Sequence, residues 1–293
     1  MNIQELGNGI YNIRKNLKLT QKQLSDGICT QPTISLIEKG EILPSLDTIY
    51  YLSLRLKKPF TYFLNVLFIN NYSQVHQLVM YFEELTAKHK YEQIYEIAVK
   101  EITEPADPWL NHFLKWQLNL SSYKLKKLGF NEVIYNLKEL LSTKYSVILD
   151  KDFLKERICN TIAFIYAMNN NYKSALVYYN KINLELLNET SPKMSRDVYI
   201  LRVIYNKSKT FYDMKSYKKA IDLLQEGIKR SVKLENMSFL GHYNYYLAKC
   251  YERVGEKKDL INTHYKNAGF FFKILNNSLY YQIVYNEQRH LFT

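Results

Sequence analysis

A short helix predicted between Gln31 and Lys39 carries side chains suited to contact with the edges of base pairs. Ile34 and Ile37 fall three apart and predict one buried face. At about 100° per residue, the side chains that point away from it are Pro32, Ser35, Leu36 and Lys39, with Gln31 and Thr33 flanking. Glutamine can pair with adenine, hydroxyls can bond to bases or phosphates, leucine can contact a thymine methyl, and lysine can hold a phosphate. The residues predicted to contact DNA are Gln31, Pro32, Thr33, Ser35, Leu36 and Lys39, with Gln21 at a further phosphate.

A second short helix precedes this one and must fix its position. Thr20 and Gln23 have the spacing of a capping box, so this helix is predicted to begin at Gln21. Leu24 gives it an apolar side, and a tight turn at Cys29 leads into the next helix. Two short helices held at a fixed angle are typical of a DNA-recognition element.

The stretch resembles the helix-turn-helix of the Cro/phage-repressor (XRE) family over roughly the first 66 residues. The family usually has a glycine in the turn and one more residue there, whereas this chain has Cys29. The register of the recognition helix is therefore defined to about one residue. The motifs that carry the resemblance are Leu19-Thr20-Gln21-x-x-Leu24-Ser25, Ile34-Ser35-x-Ile37-Glu38-x-Gly40 and Pro44-Ser45-Leu46-x-x-Ile49.

The length and composition indicate an ordered protein with one small and one large domain. The chain has 293 residues, of which 47% are hydrophobic and 23% charged. Its formal net charge is +12, and residues 1–66, with eight Lys or Arg and five Asp or Glu, account for +3 of it. The remaining +9 is spread over the rest of the chain. The basic balance favours attraction to phosphate without locating the contact.

Cysteine use and hydropathy indicate a soluble protein of the reducing cytoplasm. Cys29, Cys159 and Cys250 are far apart and odd in number, which argues against a disulfide framework or a zinc site. No signal peptide is recognisable, and the longest apolar run, Phe60 to Ile69, is too short to cross a bilayer. We expect no membrane partner, no metal and no cofactor.

The chain after about residue 73 has helix-length amphipathic segments and a repeating pattern. Four aromatic residues each follow a short polar loop and precede a small or branched apolar residue by three positions: Tyr91, Phe130, Tyr172 and Tyr217. They lie 39, 42 and 45 residues apart. This period is typical of helix pairs, and the units resemble degenerate tetratricopeptide repeats.

These patterns predict an all-α protein with three parts. Residues 1–66 form a five-helix DNA-binding domain, residues 67–74 form a connecting segment, and residues 75–293 form a superhelix of about five degenerate repeats. The fifth helix, after Pro59, is apolar nearly all round and is expected to belong to the junction. The boundary is predicted at Asn70 to Ser73, and Ser278 to Phe292 is predicted to be a capping helix.

Two asparagines on first helices of successive repeats are candidate ligands for a peptide backbone. Asn160 stands six residues before Tyr166, and Asn206 stands six before Tyr212. An asparagine side chain can donate to a peptide C=O and accept from its N–H. The alternative is that both are solvated or capping residues in an asparagine-rich chain. Further candidates for the groove wall, which could equally be packing residues, are Tyr243, Tyr246 and Tyr280.

Nearly the whole chain resembles PlcR-like peptide-sensing regulators of Gram-positive bacteria, grouped as the Rap, NprR, PlcR and PrgX family. In that family, paired asparagines on inner helices bind a short, re-imported signalling peptide, and Asn160 and Asn206 fall at matching places. The resemblance implies quorum sensing, a homodimer on a palindromic operator, and transcriptional activation. Its motifs, beyond the helix-turn-helix, are Lys90-Tyr91-x-x-Ile94-Tyr95 and Lys266-x-Ala268-x-Phe270-Phe271-Phe272-x-Ile274-Leu275.

Two other classes of function are weighed against this one. The first is a DNA-tethered repeat scaffold or phage-type repressor that is controlled by a protein partner. The second is an enzyme, but the chain has no zinc-protease, nucleophile-elbow or phosphate-loop motif and its six histidines are scattered. We therefore expect no catalytic residues.

Overall fold

The computed structural model describes residues 1–68, 72–102, 108–143, 153–184 and 193–292. Within these ranges the chain forms sixteen α-helices and no β-strand, which confirms the predicted all-α class. They divide into two compact units, Met1–Ile97 with Thr103–Leu110 and Ala98–Ile102 with Asn111–Thr293. The predicted boundary at Asn70–Asn71 lies outside the described residues, and the three domain limits stay predictions.

The first unit begins with five short helices and a longer sixth. Thr20 forms the predicted capping box, because its hydroxyl accepts from the Gln23 N–H at 3.1 Å while the Gln23 side chain accepts from the Thr20 N–H at 2.8 Å. The second helix therefore begins at Gln21, as expected. The helices are α1 (Ile3–Asn16), α2 (Gln21–Ser25), α3 (Gln31–Glu38), α4 (Leu46–Arg55), α5 (Phe60–Phe68) and α6 (Tyr72–Ala87).

One apolar core holds the first five helices together. The apolar helix α5 contributes to it through Phe63, Val66 and Leu67, so much of its surface is covered. The Asn2 N–H also donates to the Leu67 C=O at 2.7 Å, which ties the chain start to the end of α5. The other buried members of the core are Leu6, Ile10, Leu24, Ile34, Ile37, Ile49, Leu52 and Leu56.

Gly7 lets α1 pass directly over the end of the recognition helix. A Cβ at this position would lie 2.8 Å from the Glu38 C=O oxygen and 2.9 Å from the Gly40 nitrogen. Both are backbone atoms, so no rotamer change could make room. Gly9, two residues later and on the other side of α1, has no neighbouring atom within 4 Å of such a Cβ.

We expect Gly7→Ala to destabilise the first unit by about 1–3 kcal/mol, because the methyl group overpacks a backbone crossing. Gly9→Ala is the matched control and should stabilise by up to about 1 kcal/mol, since alanine is the better helix former. Hydrogen–deuterium exchange of peptides from residues 3–40 measures both changes. Equal exchange rates in the two variants would contradict the packing role of Gly7.

The remaining described residues form helical hairpins, and each predicted repeat aromatic begins a helix. Tyr91, Phe130, Tyr172 and Tyr217 are the first residues of the helices that contain them. The remaining helices are α7 (Tyr91–Glu101), α8 (Pro108–Lys124), α9 (Phe130–Ser142), α10 (Leu154–Met168), α11 (Tyr172–Tyr179), α12 (Lys193–Asp213), α13 (Tyr217–Lys233), α14 (Leu240–Val254), α15 (Lys258–Ile274) and α16 (Ser278–Glu287).

Small residues let these helices approach closely. Ala163, Ala175, Ala220, Ala248 and Ala268 are completely buried, in agreement with the packing role that the repeat pattern predicted. The predicted cap is helical through α16, after which a single 3-10 turn follows. No helix in the part of the chain that the structure describes is long and apolar enough to cross a membrane.

Candidate nucleic-acid interface and peptide surface

The outward face of α3 is available for a ligand. Thr30 caps the helix by accepting from the Thr33 N–H at 3.3 Å, and Pro32 occupies the first turn, where its missing N–H costs nothing. Ile34 and Ile37 are buried, so the opposite face is fixed toward solvent. On that face Gln31, Pro32, Leu36 and Lys39 are exposed, and Thr33 and Ser35 are half-buried.

A buried ion pair anchors α3 to α1. The Arg14 guanidinium donates to both Glu38 carboxylate oxygens, at 2.5 and 2.8 Å, and to the Leu19 C=O at 2.8 Å. Both side chains are no more than 5% exposed. Hydrogen bonding to Glu38 raises the pKa of Arg14. The bidentate geometry fixes the end of the recognition helix against α1.

The same carboxylate orients two of the predicted DNA contacts. The Gln21 side-chain nitrogen donates to Glu38 at 2.8 Å, and the Gln21 oxygen accepts from the Gln31 side-chain nitrogen at 2.6 Å. Gln31 is therefore held in place at the start of the exposed face. Gln21 was predicted to hold a phosphate, and the structure adds that it links the buried ion pair to Gln31.

The two candidate asparagines lie side by side. Asn206 on α12 donates from its side-chain nitrogen to the Asn160 side-chain oxygen on α10 at 3.2 Å. Asn160 is buried and Asn206 is half-buried. This bond uses one donor and one acceptor, so the Asn160 nitrogen and the Asn206 oxygen remain without a bond among the described residues. That pair is the complement of one peptide C=O and one peptide N–H.

Aromatic rings continue this surface from α12 to α14 and α16. Tyr246 lies 5.3 Å from Tyr212 and 5.8 Å from Tyr205, centroid to centroid, and Tyr280 lies 4.5 Å from His242. Burial raises the pKa of both Tyr246 and Tyr280. These two hydroxyls therefore stay protonated near neutral pH and can donate hydrogen bonds. We call Asn160, Asn206, Tyr246 and Tyr280 the candidate peptide surface.

The prediction that Tyr243 lines this surface is wrong. Its side chain is completely buried, and its hydroxyl donates to the Leu201 C=O at 2.6 Å. Its ring lies against Gly227, where a Cβ would approach within 2.6 Å of a ring carbon. Tyr243 and Tyr246 differ by three positions, which rotates their side chains by about 60° around the helix. That rotation directs Tyr246 toward Tyr205 and Tyr212 but Tyr243 into the core.

The sequence interpretation did not single out Arg14 and Glu38 as a pair. A signal was present, because each falls four residues after a core isoleucine, Ile10 or Ile34, and thus on a buried stripe. A charge on such a stripe requires a partner. Tyr205 and Tyr212 also contact Tyr246. The sequence pattern used Tyr212 only to locate Asn206, and no spacing rule marked Tyr205. No group of three potential metal ligands occurs among the described residues.

Two protein-family models match the chain. A model of the RNPP family C-terminal domain matches residues 79–292, and a helix-turn-helix model matches residues 10–63. The chain is similar to Bacillus thuringiensis PlcR in complex with the peptide PapR7 and DNA, with a TM-score of 0.83 and 29% identity over 97% of this chain and 99% of that one.

Two further structures are similar over nearly the whole chain. Apo PlcR from B. thuringiensis gives a TM-score of 0.67 at 28% identity, covering 97% of this chain and 98% of that one. ComR from S. thermophilus, in complex with DNA and its signalling peptide ComS, gives 0.62 at 17% identity, covering 98% and 100%, and supports the fold alone. No curated protein matches the chain in sequence.

Proposed function

Since the chain belongs to the RNPP family, we propose that it is a quorum-sensing transcriptional regulator that binds palindromic DNA as a homodimer and responds to a short re-imported peptide. The PlcR structure that it resembles over 97% of its length contains both a peptide and DNA. Membership of this family places the chain among DNA-binding regulators rather than enzymes. We propose that it acts in the cytoplasm, where both ligands are available.

The observation that carries the proposal is the pairing of Asn160 with Asn206 at 3.2 Å. The pair offers one donor and one acceptor, and an extended peptide passing over it presents a C=O and an N–H. Such a contact holds the peptide backbone independently of its sequence. Tyr246 and Tyr280 lie beyond the pair and are proposed to contact side chains of the peptide.

DNA recognition is assigned to the exposed face of α3. Gln31, held by Gln21, is proposed to pair with an adenine, and Leu36 to contact a thymine methyl. Thr33 and Ser35 supply hydroxyls for bases or phosphates, while Lys39 lies where a phosphate contact is expected. Pro32 shapes the first turn and contributes contact surface only.

Peptide and DNA binding are coupled through the dimer. Two recognition helices must enter successive major grooves about 34 Å apart. A peptide that binds one arrangement of the repeats more tightly shifts the population of dimers toward that arrangement. DNA affinity then depends on peptide concentration. A repeat scaffold controlled by a protein partner would bind DNA without any peptide response.

We expect Gln31→Ala to weaken specific DNA binding by about 1–3 kcal/mol, because a bidentate base contact is lost. Fluorescence anisotropy of the full-length protein on a duplex that it selects from random-sequence DNA measures the change. Lys39→Ala should weaken binding to all duplexes alike and reduce the salt dependence by about one phosphate contact.

Gln77→Ala on α6 is the matched control, since Gln77 is exposed and lies outside the recognition helix. It should bind the selected duplex as the wild type does. Unchanged affinity of both Gln31→Ala and Lys39→Ala would refute the assignment of α3 as the recognition helix.

A further inference from the structure

Helix α4 carries an apolar stripe on its solvent side. Leu46 is 68% exposed, Tyr50 48% and Leu54 60%. The three residues are four apart and thus share one face, while the buried residues Ile49 and Leu52 occupy the other. Single exposed apolar side chains are ordinary, but three in a row along one helix form a continuous surface.

The charges along the stripe itself disfavour DNA as its partner. No lysine or arginine occurs from Glu41 through Leu54, in a chain whose net charge is +12. Glu41 and Asp47 are both exposed, and hydrogen bonding from Ser45 lowers the pKa of Asp47. An acidic and apolar face is repelled by phosphates. Its partner must be a protein surface with apolar and basic groups.

The stripe is complementary to itself. Leu46 and Leu54 are equidistant from Tyr50, so a two-fold axis through Tyr50 places each leucine opposite the other leucine of a second copy. The acidic residues Glu41 and Asp47 lie near the start of α4, and the exposed Lys57 and Lys58 follow its end. In an antiparallel pair of α4 helices, the acidic end of one copy meets the basic end of the other.

From this symmetry we propose that α4 pairs with α4 of a second copy of the chain, antiparallel and centred on Tyr50. The inference rests on the proposed function, because it requires that two helix-turn-helix units bind one operator. The stripe extends only about 12 Å along the helix. A contact this small is weak by itself, so it adds to other dimer contacts and fixes the relative position of the two recognition helices.

Disulfide trapping with the full-length protein tests the geometry, with and without random-sequence duplex DNA. Residues on a two-fold axis meet their own copies, so Tyr50→Cys should cross-link at least about tenfold more than Tyr51→Cys. Tyr51 is 51% exposed and lies on another face, which makes it a matched control for collision. The unmodified chain gives the background of its three free cysteines.

A mixture of Leu46→Cys and Leu54→Cys proteins tests the antiparallel direction. The mixture should form heterodimers, and each variant alone should cross-link much less. Equal trapping at Tyr50→Cys and Tyr51→Cys, no trapping at all, or trapping of Leu46→Cys alone as strong as in the mixture would overturn the proposal.

DNA binding measured on the same samples separates this inference from the proposed function. Trapping at Tyr50→Cys in a protein that binds no duplex supports the paired helices and refutes DNA regulation. DNA binding without trapping agrees with the proposed function as a regulator and refutes the pairing of α4.

Discussion

Replacing Glu38 by alanine is expected to unfold the helix-turn-helix locally, at a cost of about 3–5 kcal/mol, because it leaves the Arg14 guanidinium buried without its counter-charge. Arg14 donates twice to Glu38, and the pair is almost fully buried. The change also removes the acceptor of Gln21 and thereby the support of Gln31. Stability and DNA binding should therefore be lost together.

Hydrogen–deuterium exchange read by mass spectrometry measures the effect, with faster exchange expected in peptides from residues 10–40. The double variant Arg14→Met/Glu38→Met should recover much of the stability, because removing both charges removes the penalty of the unpaired one. It should not recover specific DNA binding, since Gln21 still lacks its acceptor. A double variant as unstable as Glu38→Ala would contradict this account.

Glu84→Ala on α6 is the matched control, because it also removes one carboxylate from an ion pair in the first unit. The Glu84–Lys88 pair is more than half exposed on both sides. Solvent screens such pairs, so the exchange rates should remain close to those of the wild type.

The second large effect is expected from removing both asparagines. Asn160→Ala/Asn206→Ala should weaken binding of the signalling peptide about a hundredfold or more, because each lost amide leaves a buried peptide group unpaired at about 1–3 kcal/mol. The single variants should each lose part of this affinity. Asn206→Ala also removes the side-chain nitrogen that donates to the Asn160 side-chain oxygen.

A ligand for this measurement can be captured by the full-length protein from a mixed library of short unblocked peptides, and its affinity followed by anisotropy. Asn267→Ala is the matched control, since Asn267 is exposed on α15. DNA binding without peptide should be the same in all variants. Full peptide affinity in the double variant would show that the peptide binds elsewhere.

The features of the fold that could be predicted from the sequence are those that depend on residues close together in the chain. The capping box at Thr20, the helix starts at Tyr91, Phe130, Tyr172 and Tyr217, and the buried alanines all depend on residues within one or two turns. Cap geometry and helical spacing act over that distance, so the printed sequence contains the information. The all-α class followed directly.

The candidate site was predictable only in part. The outward face of α3 followed from spacing, and the asparagines were chosen from their common distance to a repeat tyrosine. The prediction for Tyr243 is wrong because burial depends on how neighbouring helices pack. Here the Tyr243 side chain meets Leu201 on α12 and Gly227 on α13. No rule within α14 separates it from Tyr246.

The sequence by itself determined the helices, their order and the faces that carry polar groups, because these depend on contacts between residues three or four apart. Tertiary structure alone decided that Arg14 meets Glu38, that Gly7 passes over the end of α3 and that Asn160 meets Asn206. These partners are 24, more than 30 and 46 positions apart. Their meeting depends on how whole helices pack, which no local spacing specifies.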